Sequence, residues 1–492
     1  MKRGQAKEWL GRQTTLVLFL SGMFLLGLVV ARSGLRVPLW FGFAMVAAGL
    51  SIQRGKTMKL VLLCLAALSI GVWRGGEFFA ELSAYRDFAY QKVTVEVTAL
   101  EDGIYTTGGQ IGFTSGSIVF TSPANVAAKG QIRIKGYGEL AVYRGDRLRL
   151  TGKLYPTRGA AQASMGYVQM KRIGSTQSVF DNFRRRFSAG LQTALPEPLA
   201  SFAMGLLVGQ RNTLPDDITT ALKMVGLTHI IAVSGYNLTI MLDFARKRFG
   251  KRSKFGATFG AIGLMLCFIA ITGASASIVR AAVVSAIGLA AWYVGRKVRP
   301  MVVILLAAAL TAGSNPVYIW SDIGWYLSFL AFFGILMVAP QITKRIWKDR
   351  EPPVLASVAV ETISAELMTI PLIMFIFGQV SLVGLAANVL VVSLIPLAML
   401  LSFVAGLVGM LAPLLVGWIA LPLRWLLTYM LDVATLLSKV PHGFRTNAYL
   451  SAFDMVLCYA MILLLLGWLY RPKRPRWYRL FEKKTEGTER KN

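Results

Sequence analysis

His229 and Ser234 stand five residues apart in one apolar run, with Gly235 and Asn237 beside them. A hydroxyl and an imidazole are the raw material of nucleophilic catalysis, in which the base is itself oriented by a third group. The spacing does not suit that chemistry. Five residues turn a helix by about 140°, and no adjacent carboxylate orients the imidazole. No catalytic residue is therefore assigned, and no enzyme activity is expected. Metal chemistry is equally poorly served. The chain holds two histidines, His229 and His442, and three cysteines, Cys64, Cys267 and Cys458, the cysteines all inside apolar stretches. No metal site, disulfide or cofactor is expected from them. Polar groups embedded in apolar runs are the remaining candidates: Arg280, Asp322, Glu361, Glu366 and Asn388. Inside a membrane such groups face a bundle interior or a water path, and they usually have partners. Arg280 with Asp322 or Glu366 suits a register-fixing ion pair, and the carboxylates suit a proton relay. The sequence leaves both open.

The elements that must position these groups are membrane helices. The 492 residues are 55% hydrophobic and have a mean hydropathy of +0.56. Soluble domains are about 45–50% apolar. At roughly 20 apolar residues per crossing, the pattern predicts a polytopic α-helical membrane protein of about ten to twelve membrane segments, some re-entrant or broken. The net charge of +29 suits nucleic-acid binding. It also suits the gathering of Lys and Arg in cytoplasmic loops, and the short basic runs QRGKTMK, ARKRFGKRSK, GRKVRP and TKRIWKDR favour this second account. Residues 1–76 are expected to cross three times from a cytoplasmic start, which places residues 77–178 outside. Residues 197–471 form the larger membrane unit. Within it Leu199–Val208 is too short to span and reads as re-entrant or buried. Leu382–Leu411 is either one kinked helix or two broken ones. Residues 472–492 are a basic tail. Both termini are expected in the cytoplasm.

Residues 77–178 change character. The runs VTVEVTAL, IGFTSGSIVF, QIRIKGYG, DRLRLTGKL and GYVQMKRI alternate with period near two between Gly or Pro breaks. Five such strands predict an extracytoplasmic all-β domain of OB-fold-like type. Arg133, Lys135, Arg147, Arg149 and Lys171, with Tyr137, Tyr167 and Arg172, would serve a single strand by charge and stacking. The same charges also protect strand edges. Residues 179–196 carry Phe183, Phe187, Leu191 and Leu195 on one stripe and Arg184, Arg185 and Arg186 off it. This is the pattern of an interfacial amphipathic helix whose arginines anchor to lipid headgroups.

One passage resembles a known family. Gly205, Gly209 and Arg211, then Gly226-Leu227-Thr228-His229 and Ala232-Val233-Ser234-Gly235-Tyr236-Asn237, are similar to the signature of the ComEC-type competence proteins. Ser277 to Ala281, Asp322 to Ser328 and Ala387-Asn388 resemble further neighbourhoods of that family, so the likeness covers roughly Gly205–Leu400. It implies an inner-membrane channel that passes single-stranded DNA into the bacterial cytoplasm during natural transformation. It further implies that Arg211, His229, Ser234, Gly235, Asn237, Arg280, Asp322, Glu366 and Asn388 line the DNA path. Many members carry a metallo-β-lactamase-like domain with an HxHxDH-type cluster. Neither that cluster nor a Walker A motif is present here. The expected partners are thus single-stranded DNA, the lipid bilayer, a DNA receptor, a nuclease and a cytoplasmic ATP-driven motor. A proton-coupled secondary transporter of a small or lipidic solute is the rival, since composition and periodicity suit it equally.

Overall fold

The computed structural model describes residues 3–52, 56–106, 109–123, 125–139, 141–156, 161–175, 179–209, 214–231, 253–273, 275–296, 299–348 and 350–470. Among these, eight helices are long and apolar enough to cross a bilayer: Thr14–Ala31, Thr57–Glu81, Lys254–Thr272, Ala276–Tyr293, Ile323–Trp347, Val354–Phe377, Gly384–Leu411 and Ala452–Leu469. A ninth is available if Pro413–Ile419 and Leu421–Ser438, bent by 55° at their junction, form one span. Leu39–Ser51, Leu199–Val208 and Pro300–Ser314 are shorter apolar helices. Only 11% to 39% of each spanning window is buried inside the protein. The remaining apolar surface needs lipid, so the protein is a polytopic membrane protein.

Small residues let these helices approach. Gly27 and Gly71 face each other so closely that a Cβ on either would collide with a carbonyl of the other helix, at Leu68 or Phe24. Close backbone contact of this kind supplies the packing that lipid cannot drive. Leu199–Val208, ten residues long, is buried along nearly its whole length. Gly384–Leu411 is one helical path of 28 residues, loosened by a 3-10 turn at Val392–Leu394 just before Pro396. Proline has no N–H to bond back into the preceding turn. The choice left open by the sequence is thus settled as a single helix with a local break in its ladder.

The all-β domain contains β1 (Lys92–Ala99), β2 (Ile104–Thr106), β3 (Gln110–Ser122), β4 (Val126–Ala128), β5 (Ile132–Tyr137), β6 (Asp146–Pro156) and β7 (Ala163–Ser175). The sheet runs β1-β6-β7-β5-β3-β2, with β4 on β3, and β1 also pairs with β3. The long strands therefore close into a barrel. The β5–β7 pair is parallel and the others are antiparallel. Alternate side chains point inward, as a strand's two-residue period requires. Val95, Phe120, Ile134, Leu150 and Met165 fill the interior.

The Val179–Ala194 helix buries Phe187 and Leu191. It packs along Ile395–Leu411, where a Cβ on Gly409 would collide with the Gly190 carbonyl and the Phe187 ring occupies the space left by Gly406. Two of the arginines expected at lipid headgroups are engaged differently. Arg184 is buried in an ion pair with Asp102, and the Arg185 guanidinium lies 4.6 Å from the centroid of the Tyr143 ring.

Several contacts join helix ends that are far apart in sequence. Arg74, at the end of the third helix, donates to the carbonyls of Gly313 and Ser314. Arg32, just beyond the first, donates to the Trp320 carbonyl. Arg144 of the barrel donates to Ala270 and Ile271 at the end of Lys254–Thr272. Arg345 donates to Trp468, and Tyr470 to Met337.

Candidate functional site

Arg211, Ser234, Gly235 and Asn237 lie outside the described residues. His229 lies within them, in the short Thr228–Ile231 turn of helix. Its Nδ1 is 3.1 Å from the Gly226 carbonyl. Gly226 holds φ +75°, a left-handed conformation that glycine adopts without a steric penalty.

This turn abuts residues far away in sequence. A Cβ on Gly226 would sit 3.7 Å from Ser381 Cβ and 3.8 Å from Gly384 Cα. A Cβ on Gly384 would in turn lie 3.3 Å from Glu366 Oε1 and 3.5 Å from Ser381 Oγ. Asn388 Nδ2 donates to Glu366 Oε1 at 3.3 Å. The signature turn, Ser381, Gly384, Glu366 and Asn388 therefore form one polar neighbourhood. Among the described residues Glu366 has no basic partner. Its carboxylate instead stands beside the N-terminal end of Gly384–Leu411, where the helix dipole and unpaired N–H groups favour negative charge. The π-turn Gly334–Val338 presses on the Val354–Phe377 helix that carries Glu366, for a Cβ on Gly334 would collide with the Ser364 carbonyl. Such turns are frequent at functional sites.

Arg280 pairs with Asp322 rather than with Glu366. The two approach to 3.7 Å, with side chains 6% and 13% exposed, too far for a hydrogen bond. Arg280 also donates to the Gly324 carbonyl at 3.2 Å, while Asp322 accepts from Gly324 N–H at 3.0 Å and caps the Ile323–Phe333 helix. Tyr318 completes the group. Burial pushes its phenol up, so it stands neutral beside the pair.

The barrel presents a second candidate surface. Arg133, Lys135, Arg147, Arg149 and Lys171 are all exposed. Strand register places two of them side by side. Glu96 faces Arg149, which faces Lys171, and residues paired in this way project from the same face. Arg149 Nη2 holds Glu96 Oε1 at 2.8 Å, so its charge is offset. Tyr90, Tyr137, Tyr155 and Tyr167 are also exposed, Tyr167 by 80%. Tyr90 and Tyr155 meet edge to face at 6.1 Å, with Lys153 5.7 Å from the Tyr155 centroid.

Sequence reasoning missed Lys153, Tyr90 and Tyr155. The period-two pattern offers a signal for Lys153 and Tyr155, which follow Arg147 and Arg149 at even spacing on β6. It also missed the joint between barrel and bundle. Asp102 accepts from the Arg144 backbone N–H at 2.9 Å and from Arg184. The Arg144 side chain lies 3.5 Å from Asp181. These groups come from separate loops and a helix, so no short-range spacing announces them.

Comparison with known proteins bears on the membrane unit. The model of the family described as "Competence protein" matches residues 206–472. "ComE operon protein 3" of Bacillus subtilis (strain 168) is 24% identical over 287 residues, covering 56% of this chain and 36% of that protein. "Uncharacterized protein YcaI" of Escherichia coli (strain K12) is 28% identical over 163 residues, covering 30% of this chain and 21% of that protein. The chain thus spans well under half the length of these relatives. No solved structure matches it.

Proposed function

The chain belongs to the Competence protein family, and from that premise we propose that it conducts single-stranded DNA across the bacterial inner membrane during transformation. In this reading it is a passive, non-enzymatic conduit with both termini cytoplasmic, and the barrel is its receiving element outside. We infer an OB-type barrel, because its long strands close in the order first, second, third, fifth, fourth, with third and fifth parallel. One observation carries the proposal. The barrel combines exposed cations with exposed tyrosines, the pairing that holds a phosphate backbone and stacks its bases. That barrel is seated on the membrane bundle through Arg144 and Arg184. A DNA receptor, a nuclease and a cytoplasmic ATP-driven motor complete this scheme.

The test is transformation of a deletion strain complemented in trans. His229→Ala and Asn237→Ala should abolish uptake while expression and membrane insertion stay normal. Undiminished uptake by well-expressed variants would return these residues to helix packing. The rival reading, a proton-coupled transporter, draws on Glu366 lacking a basic partner among the described residues. It requires uphill solute accumulation under a proton gradient, lost in Glu366→Gln.

A further inference from the structure

An open groove of about 530 Å³ lies between the first, third and Pro300–Ser314 helices, lined by Leu20, Phe24, Ile70 and Leu310 among others, with Arg74 at one end. Pockets of roughly 300–1,000 Å³ accommodate small ligands. The walls belong to two bilayer-spanning helices and a shorter apolar one, so the ligand at hand is a lipid chain.

The Arg74 end gathers cationic groups. The Arg74 guanidinium lies 5.6 Å from the Phe78 centroid, and that of Arg86 lies 3.5 Å from the Phe79 centroid. Both rings meet Trp320 edge to face at 6.1 Å, and Arg32 donates to the Trp320 carbonyl. Two guanidiniums thus lie on one aromatic collar, and that of Arg32 is tied to the collar's backbone at Trp320. Among the described residues none of the three has a carboxylate partner. Arg74 is only partly satisfied by the Gly313 and Ser314 carbonyls, which leaves N–H donors for a further anion.

We propose that this is a binding site for an anionic phospholipid, its acyl chain in the groove and its phosphate held by Arg74 with Arg32 and Arg86. Guanidinium matches phosphate by geometry as well as charge. The groove selects a lipid over a free anion, and the arginines select an anionic headgroup over a zwitterionic one. A lipid seated here would bridge the N-terminal helices to Pro300–Ser314. The site does not depend on what the protein transports.

The test uses the full chain, delipidated in detergent, with phosphatidylglycerol bearing a photoreactive acyl chain and the matching phosphatidylcholine as probes. Phosphatidylglycerol should label residues 20–24 and 309–313 preferentially. Arg74→Gln should reduce that labelling about tenfold, the loss of a charge-assisted hydrogen bond, and erase the preference. Ala67→Phe, or Leu310→Trp if that variant unfolds, should block labelling of this groove by both lipids and leave other helix faces labelled. Equal labelling by the two lipids, or labelling spread evenly over the lipid-facing helices, overturns the site. So does displacement of phosphatidylglycerol by a single-stranded oligonucleotide, which would assign the arginines to the DNA path.

Discussion

Replacing Glu96 with glutamine should tighten the binding of single-stranded DNA and make it more sensitive to salt. Arg149 is held by Glu96 at 2.8 Å, so among the sequence-predicted cations Arg133, Lys135, Arg147 and Lys171 are left to meet phosphates. Each phosphate neutralised on a single strand contributes about −0.7 to the slope of log K against log salt. Four contacts give a slope of about −2.8, or about a 50-fold loss between 50 and 200 mM salt. Glu96→Gln frees a fifth charge. The slope should then approach about −3.5, and affinity at 0.1 M salt should rise about fivefold. Arg149→Gln should have the opposite effect and weaken binding, because it uncovers the Glu96 carboxylate that Arg149 offsets. Fluorescence anisotropy of a labelled oligothymidylate on the full chain in nanodiscs reads both quantities. Weaker binding by Glu96→Gln, or a wild-type slope shallower than about −1, would refute the assignment and leave the barrel cations as edge protection.

Other consequences are equally direct. Asp322→Asn strands Arg280 in a buried site and should cost about 3–5 kcal/mol, seen as a lower Tm in detergent; a double replacement of Arg280 and Asp322 by apolar residues should recover much of it. Gly409→Val should loosen the contact of Val179–Ala194 with Ile395–Leu411 and lower Tm, whereas Gly417→Ala, with nothing within 4 Å of the new methyl, should be silent. In a background lacking Cys64, Cys267 and Cys458, cysteines at Tyr167 and Lys254 should react from opposite sides with an impermeant thiol reagent; reaction from one side would contradict the alternation of basic loops. In proteoliposomes, DNA permeation should be passive and indifferent to a pH gradient. An inside-negative potential opposes the polyanion by about 2.3 kcal/mol per charge per 100 mV, so net import by the chain alone against such a potential would disprove the need for a motor.

The sequence by itself determined the membrane class and the five long strands. These are local properties: a run of apolar residues must be helical in lipid, and a two-residue period makes an edge-to-core strand whatever lies elsewhere. It also singled out Arg280, Asp322, Glu366 and Asn388, because polar groups in apolar runs are conspicuous. Pairing was another matter. Arg280 had two plausible carboxylates, and only the packing of Ala276–Tyr293 beside the Ile323–Phe333 helix selects Asp322. Glu366 is explained by a helix N-terminus that begins at Gly384, eighteen residues on in the sequence but adjacent in space. The interfacial stripe of Val179–Ala194 was legible, yet its partner was not, since an apolar stripe specifies burial without naming what covers it. Arg184 looked like a lipid anchor until the fold brought Asp102 to it. Tertiary structure decides such matters because charge compensation and close backbone approach depend on distances between segments, and those distances have no counterpart in local sequence pattern.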